Sequence, residues 1–166
     1  MEFHPITPDM LPLCHALCAD SIAALPDEAY PLAARLAWAG IWDDETASAW
    51  AARLSASWSV GVSAAGELLG FAWLTHAGEL DMLYVAPAAQ RRGLALQMIR
   101  QLEETAAQAG LVALHAWASH AARPVFEQAG YAVLRANTVT RDGETLENWL
   151  MAKGGWQEPG DARRES

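Results

Sequence analysis

The stretch Val85 to Leu96, V-A-P-A-A-Q-R-R-G-L-A-L, constrains this chain more than any other part of it. An alternating apolar run, Leu80 to Val85, leads into it and reads as a strand. Beyond it Leu94, Leu96, Ile99, Leu102 and Ala106 recur near the three-and-four spacing of an amphipathic helix. Gln90-Arg91-Arg92-Gly93-Leu94-Ala95 is therefore a tight turn that feeds a helix N-terminus. The first N–H groups of a helix lack intrahelical partners and carry the positive end of its dipole. Gly93 lets the backbone come close to a ligand, and Ala95 is too small to obstruct it. A turn of this kind holds a phosphate or pyrophosphate through its backbone. An ordinary strand–helix connection with two surface arginines is the bland alternative.

A chain of 166 residues, 52% hydrophobic and 19% charged, reads as one globular domain. Its formal charge of −9 argues against a nucleic-acid partner, and Arg91 and Arg92 reverse that sign locally at the turn. No apolar run approaches the length of a membrane span, and Met1 to Pro8 lacks the basic and apolar regions of a signal peptide. Cys14 and Cys18, four residues apart on a predicted helix, read as a small apolar pair facing the core. With His15 they lack a fourth metal ligand, so no metal site is expected. A cytoplasmic, reducing setting follows from this cysteine usage.

Phe3 and Ile6 suggest a short first strand broken by prolines, and a helix follows from about Asp9 to Leu25, with Thr7 or Asp9 as its cap. Further helical segments run from Tyr30 to Trp38 and from Asp43 to Leu54, the latter with Asp43 or Asp44 as cap. Trp58–Ser63 and Leu68–Thr75 form a hairpin through Ala65-Gly66-Glu67. The central strand covers Glu79–Val85, and the helix after the turn extends to Gln108, where Ala109-Gly110 closes it. A strand at Leu111–Ala118, a helix at Ser119–Gln128 and a hairpin of Tyr131–Thr140 with Glu144–Lys153 around Asp142-Gly143 complete the order. The tail from Gly154 is expected to be mobile.

Q-x-x-G-x-A between a strand and a helix resembles the pyrophosphate-binding motif of the GNAT superfamily of N-acetyltransferases, the acyl-CoA N-acyltransferases. Ser119, Ala122, Phe126, Gly130 and Tyr131 resemble the family's second pattern, N-x-x-A-x-x-x-Y-x-x-x-G-F. Tyr30–Ala39 and Arg141-Asp142-Gly143-x-x-Leu146-x-Asn148 resemble a branch of small bacterial members. The resemblance implies an α/β fold, a mixed and mostly antiparallel sheet splayed between its fourth and fifth strands and flanked by helices. It implies a single N-acetyltransferase domain over residues 1–153, with 154–166 as tail. It also implies acetyl-CoA as cosubstrate, held by Leu83, Val85, Gln90, Arg91, Arg92, Gly93, Leu94, Ala95, Leu96, Ser119 and Phe126.

Acetyl transfer to an amine needs a held thioester, a neutral amine and a partner for the oxyanion. The family's pattern gives the thioester to the backbone of Leu83 and Val85, where losing one N–H donor typically costs about 3 kcal/mol. An amine titrating near pH ~10.4 costs about 4–5 kcal/mol to neutralise at pH 7, so a base must take its proton. Asp81 and Glu79 are the candidates, on one face of the central strand if alternation is strict; the alternative is that Glu79 only ends a turn and Asp81 makes a structural hydrogen bond. Phe126 stands where many members have a tyrosine acid, and phenylalanine donates no proton. Ser119, in place of the usual asparagine, keeps a hydroxyl that can reach cofactor or water. His120 is a candidate substitute acid, with a solvated residue at a helix start as the alternative reading; His76 and His115 read as structural or surface residues.

The function expected is therefore acetyl-CoA-dependent N-acetylation of a primary amine on a small molecule or peptide, in a ternary complex, by a monomer or homodimer with no nucleic-acid or membrane partner. A CoA-binding sensor or interaction module with weak chemistry is the competing reading, for which Phe126 is the argument. A toxin that acetylates aminoacyl-tRNA fits poorly with a charge of −9.

Overall fold

The structure, a computed structural model, describes residues 1–160. Strand β1 (Glu2–His4) is followed by a single tight helical turn at Pro8–Met10 and then by helices α1 (Leu11–Ala23), α2 (Leu32–Ala39) and α3 (Asp44–Ser55). Strands β2 (Ser57–Ala64), β3 (Glu67–Thr75) and β4 (Leu80–Val85) come next, then helix α4 (Leu94–Gln108). Strand β5 (Leu114–Ala118), helix α5 (Arg123–Gln128) and the hairpin β6 (Ala132–Arg141) and β7 (Glu144–Lys153) close the described chain. The first helix is shorter than its apolar spacing predicts, and Thr7 makes no side-chain cap. Ile6 is a buried core residue outside β1. Asp43 does cap α3, accepting the Thr46 N–H at 2.8 Å.

Two antiparallel sheets form, β1-β2-β3-β4 and β5-β7-β6. Both tight hairpins turn through two left-handed residues, Ala65 (φ 52°) with Gly66 (φ 78°) and Asp142 (φ 49°) with Gly143 (φ 77°). Paired left-handed residues give the twist that matches antiparallel strands. The sheets meet at one parallel bridge between Glu79 and His115, where His115 donates its N–H to the Gly78 carbonyl at 2.9 Å. A Cβ on Gly78 would stand 2.7 Å from the Ala113 carbonyl oxygen, so only glycine lets the strands touch there. Past this point β4 and β5 share no ladder, and a wedge opens between them.

Strand β3 is buried on both faces. Phe71 and Trp73 pack toward α1 with Leu11, Cys14, Cys18 and Ile22, while Ala72 and Leu74 pack toward α4 with Met98, Ile99 and Leu102. The positions of α4 that are buried, Leu94, Met98, Ile99, Leu102 and Ala106, follow its helical period, and each large side chain contributes roughly 1.5–3 kcal/mol. Both cysteines are free and buried. The tail expected to move from Gly154 begins with an anchored piece: the Trp156 ring stacks on His115 at 4.0 Å. Residues 161–166 lie outside the described residues.

Candidate active site

After β4 the chain makes a short helical turn at Pro87–Ala89 and reaches Gln90–Gly93. Arg91 (φ 65°) and Gly93 (φ 77°) are both left-handed, which lets α4 start abruptly at Leu94. No side chain caps α4, so its first N–H groups stay available. A Cβ on Gly93 would meet nothing closer than Gln97 Nε2 at 3.9 Å, so internal packing does not demand a glycine; the backbone angle and an open approach do. This turn forms one end of a cavity of about 370 Å³ that continues along Leu83 and Val85 to Ala122 and Val125 before α5 and within it.

Strand β4 presents its free edge to the same cavity. Ala86 donates its N–H to Leu69 across the β3 ladder at 2.8 Å, and alternation turns the N–H and C=O of Val85 and Leu83 the opposite way, into the wedge. The Val85 carbonyl is met there by Ser21 Oγ at 2.7 Å and Gln90 Nε2 at 3.2 Å. Two acceptor positions are thus filled, and the Val85 N–H and the Leu83 groups are left for a ligand lying along the strand. Gln90 braces the turn against β4, and Arg92 reaches the Ala88 carbonyl at 3.4 Å.

A second cavity, of about 560 Å³, lies on the other side of the wedge. Trp38, Leu83, Tyr84, Ser119 and Ala122 line both cavities, so the two spaces meet at these residues. Ser119 Oγ accepts the Ala122 N–H at 3.2 Å and leaves its own proton free to donate. The helix expected from Ser119 starts at Arg123, with Ser119 closing the turn before it. Phe126 is 3% exposed, sits edge-on to Tyr131 at 5.1 Å, and borders the second cavity rather than the one beside the turn.

Glu79 and Asp81 both line the second cavity, but strict alternation does not carry them there. The register slips where Trp73 pairs with Met82 and Leu74 with Leu80, leaving Asp81 as the extra residue of a bulge. The bulge aims Asp81 at Trp73 Nε1 (2.8 Å) and at the guanidinium of Arg53 on α3. Burial alone would raise the Asp81 carboxyl; the Arg53 hydrogen bonds and charge, helped by Trp73, outweigh it and hold it below the usual carboxylate range. Glu79 is one-third exposed, with Oε1 3.4 Å from His115 Nε2. Behind it, His115 Nδ1 is buried without a hydrogen-bond partner among the described residues, and the ring lies under Trp156.

A model of the acetyltransferase (GNAT) domain family matches residues 38–148. The chain belongs to the GNAT family. It is an N-acetyltransferase by that membership, with a fold like that of the GCN5-related N-acetyltransferase from Rhodopseudomonas palustris: 34% identity, TM-score 0.83, covering 92% of this chain and 94% of that one. Two more distant structures share the fold. One is the GNAT superfamily phosphinothricin acetyltransferase from Sinorhizobium meliloti in complex with acetyl-CoA (13% identity, TM-score 0.69, 92% and 86% covered). The other is the PaiA N-acetyltransferase from Thermoplasma acidophilum in complex with coenzyme A (16% identity, TM-score 0.61, 92% and 97% covered). No curated protein matches the sequence.

In this GNAT enzyme the residues read from the motif, Gln90 to Leu96, stand together with Leu83, Val85 and Ser119 around one cavity, apart from Arg92, whose side chain turns back to the chain. Two residues here, Tyr84 and Arg53, were not singled out by the sequence. Tyr84 stacks on Phe71 at 5.8 Å, and burial, then the neighbouring Cys18 thiol, push its hydroxyl well above the ordinary range, so it stays protonated. Its signal was a tyrosine between the two strand residues assigned to cofactor. Trp38, Arg53 and Arg141 arrive from distant elements. His120 sits beside Trp149, 3.8 Å from Glu147, and its N–H is held by the Tyr30 hydroxyl. His76 packs on Trp58. Among the described residues no helix is long and apolar enough to cross a membrane, and no cluster of three metal-ligating side chains is placed to hold an ion.

Proposed function

We propose that this enzyme transfers an acetyl group from acetyl-CoA to a primary amine of a small molecule or peptide, by direct attack in a ternary complex. The meeting of the two cavities at Leu83, Tyr84 and Ser119 carries the reading. The uncapped turn with its open glycine suits a pyrophosphate, and the free edge of β4 suits the amide-bearing arm that follows it. Acetyl-CoA supplies the activated thioester; the chain's own groups do the rest. A β4 backbone N–H polarises the thioester carbonyl from the Leu83 side. Glu79 takes the amine proton, directly or through water, while Asp81 stays ion-paired to Arg53. Tyr84 and Ser119 are the hydroxyl-bearing residues that line both cavities, so the phenylalanine at position 126 does not leave the junction without a proton donor for the departing thiolate.

Direct attack is favoured over a cysteine relay by the state of Cys18. It borders the second cavity, which in this reading takes the acceptor amine, yet burial pushes its thiol up to about 11, and that of Cys14 to about 12. A thiol in that range is protonated at neutral pH and a poor nucleophile. Initial velocities measured over a grid of acetyl-CoA and amine concentrations, with free CoA as readout, test the proposal. Intersecting double-reciprocal lines are expected. Parallel lines would point to an acetyl-enzyme, and no CoA release with any amine, despite tight acetyl-CoA binding, would favour the sensor reading.

A further inference from the structure

Two fixed positive charges line the acceptor cavity, those of Arg53 and Arg141. Arg53 is taken up by Asp81 in a two-pronged ion pair. Arg141, at the end of β6, has no carboxylate partner among the described residues; one of its N–H groups reaches the Trp38 carbonyl at 3.4 Å. A guanidinium offers five N–H donors in a planar fork, so an edge suited to a carboxylate stays open. Trp38 belongs to the junction of the two cavities, and although burial raises both the Tyr84 hydroxyl and the Cys18 thiol there, the Arg141 charge reaches them and offsets a small part of that rise. Through its contact with Trp38, which lines both cavities, this guanidinium borders the junction where acetyl transfer would occur. Glu79, together with Glu147 beside His120, supplies the opposite charge in the same cavity, and Trp38, Trp50 and Tyr30 give it apolar walls.

We infer that the acceptor is an amine carrying a nearby carboxylate, of the α-amino-acid class, with Arg141 holding the carboxylate while the amine faces Glu79. The inference rests on the acetyltransferase reading and narrows it. A purely cationic diamine meets Arg141 with like charge, whereas an amino acid presents each of its ends to an opposite one. Arg141 touches Trp38, a residue of the junction, so a carboxylate held there belongs close to the amine rather than at the end of a long spacer.

The test compares the twenty common α-amino acids, their carboxamides and 1,4-diaminobutane as acceptors, in wild type and in Arg141→Gln. Wild type is expected to favour acids over their amides in kcat/KM. In Arg141→Gln that acid-to-amide ratio falls about 10- to 100-fold, the worth of a charge-assisted hydrogen-bonded pair, and the loss lies in KM. Arg141→Lys recovers part of it. Calorimetry with acetyl-CoA checks that the variants still bind the donor. Amides or the diamine turned over as well as acids, or a loss shared equally by acid and amide, would overturn the inference and leave acetyl transfer standing. No CoA release with any of the compounds would take down both.

Discussion

Asp81 sets both carboxylate oxygens on one side chain: Arg53 Nη2 lies 2.6 Å from Oδ1 and Arg53 Nε 2.8 Å from Oδ2. The pair straps α3 to β4 across the floor of the acceptor cavity, with the Asp81 side chain 11% exposed and Arg53 42% exposed. Asp81→Asn keeps the volume and loses the ion. Since one partner is largely solvated, the cost is about 1–2 kcal/mol, or a fall in Tm of about 3–6 °C for a chain of this length. Thermal melts of the purified variant check it. An unchanged Tm with turnover down 100-fold would make Asp81 the base after all.

The same pair sets a pH dependence. Because the folded Asp81 carboxyl is held below its ordinary value, its contribution is complete above about pH 4 and drains away as pH falls through the lowered folded value. The difference in Tm between wild type and Asp81→Asn is therefore expected to be steady from pH 5 to 8 and to shrink in more acid buffer. A difference that grows on acidification contradicts the depressed titration.

Glu79→Gln separates the base from the strap. Turnover should drop roughly 10²–10⁴-fold, with acetyl-CoA affinity kept and part of the rate recovered at higher pH, where more amine is already neutral. Single-turnover rates at two pH values decide it; a rate like wild type at both leaves water as the proton acceptor.

Gly93→Ala tests the turn. The added methyl has room within the protein, 3.9 Å from Gln97 Nε2, so its internal cost is the strain of a left-handed alanine, about 1–2 kcal/mol. If a pyrophosphate packs against this backbone, the Kd for acetyl-CoA rises by far more than the Tm shift implies. Calorimetry showing an unaltered Kd would remove the phosphate from this site.

Phe126→Tyr and Tyr84→Phe form a contrasting pair. Phe126 is buried against Tyr131, so a hydroxyl there lacks a ready partner and costs about 1–3 kcal/mol of stability without raising the rate. Tyr84→Phe should lower kcat while sparing acetyl-CoA affinity. Since the Tyr84 hydroxyl titrates well above the ordinary range, the wild-type rate should show no loss from it on the alkaline side up to pH 10. A faster Phe126→Tyr enzyme would return the proton donor to α5.

What the sequence disclosed were features written in neighbouring residues. A strand, a left-handed glycine and a helical period lie within Leu80 to Ala106, and the Ala65-Gly66 and Asp142-Gly143 turns announce their hairpins through backbone chirality alone. The Asp81–Arg53 strap was hidden for two reasons. The partners are 28 positions apart, and the aim of Asp81 depends on a one-residue slip against β3 that no periodicity reveals. Arg141 and Trp38 are 103 positions apart, and their contact exists only because β6 folds back over α2. Tyr84 was hidden because alternation along β4 assigns its even-numbered side chains to the core, and only the folded junction shows it bordering both cavities.

The contact at Gly78 behaves as the fulcrum of a lever. From there to Val85 the strand runs about 20 Å, so a small push at the Gly78–Ala113 contact is magnified at the far end, where the gap between β4 and β5 must match the thickness of what enters it. Any side chain at position 78 would force the Ala113 backbone aside and re-gauge that gap. The width of the wedge thus depends on a residue that lines neither cavity, and if the substrates bind as proposed, drift at position 78 would alter ligand choice while leaving every lining residue unchanged.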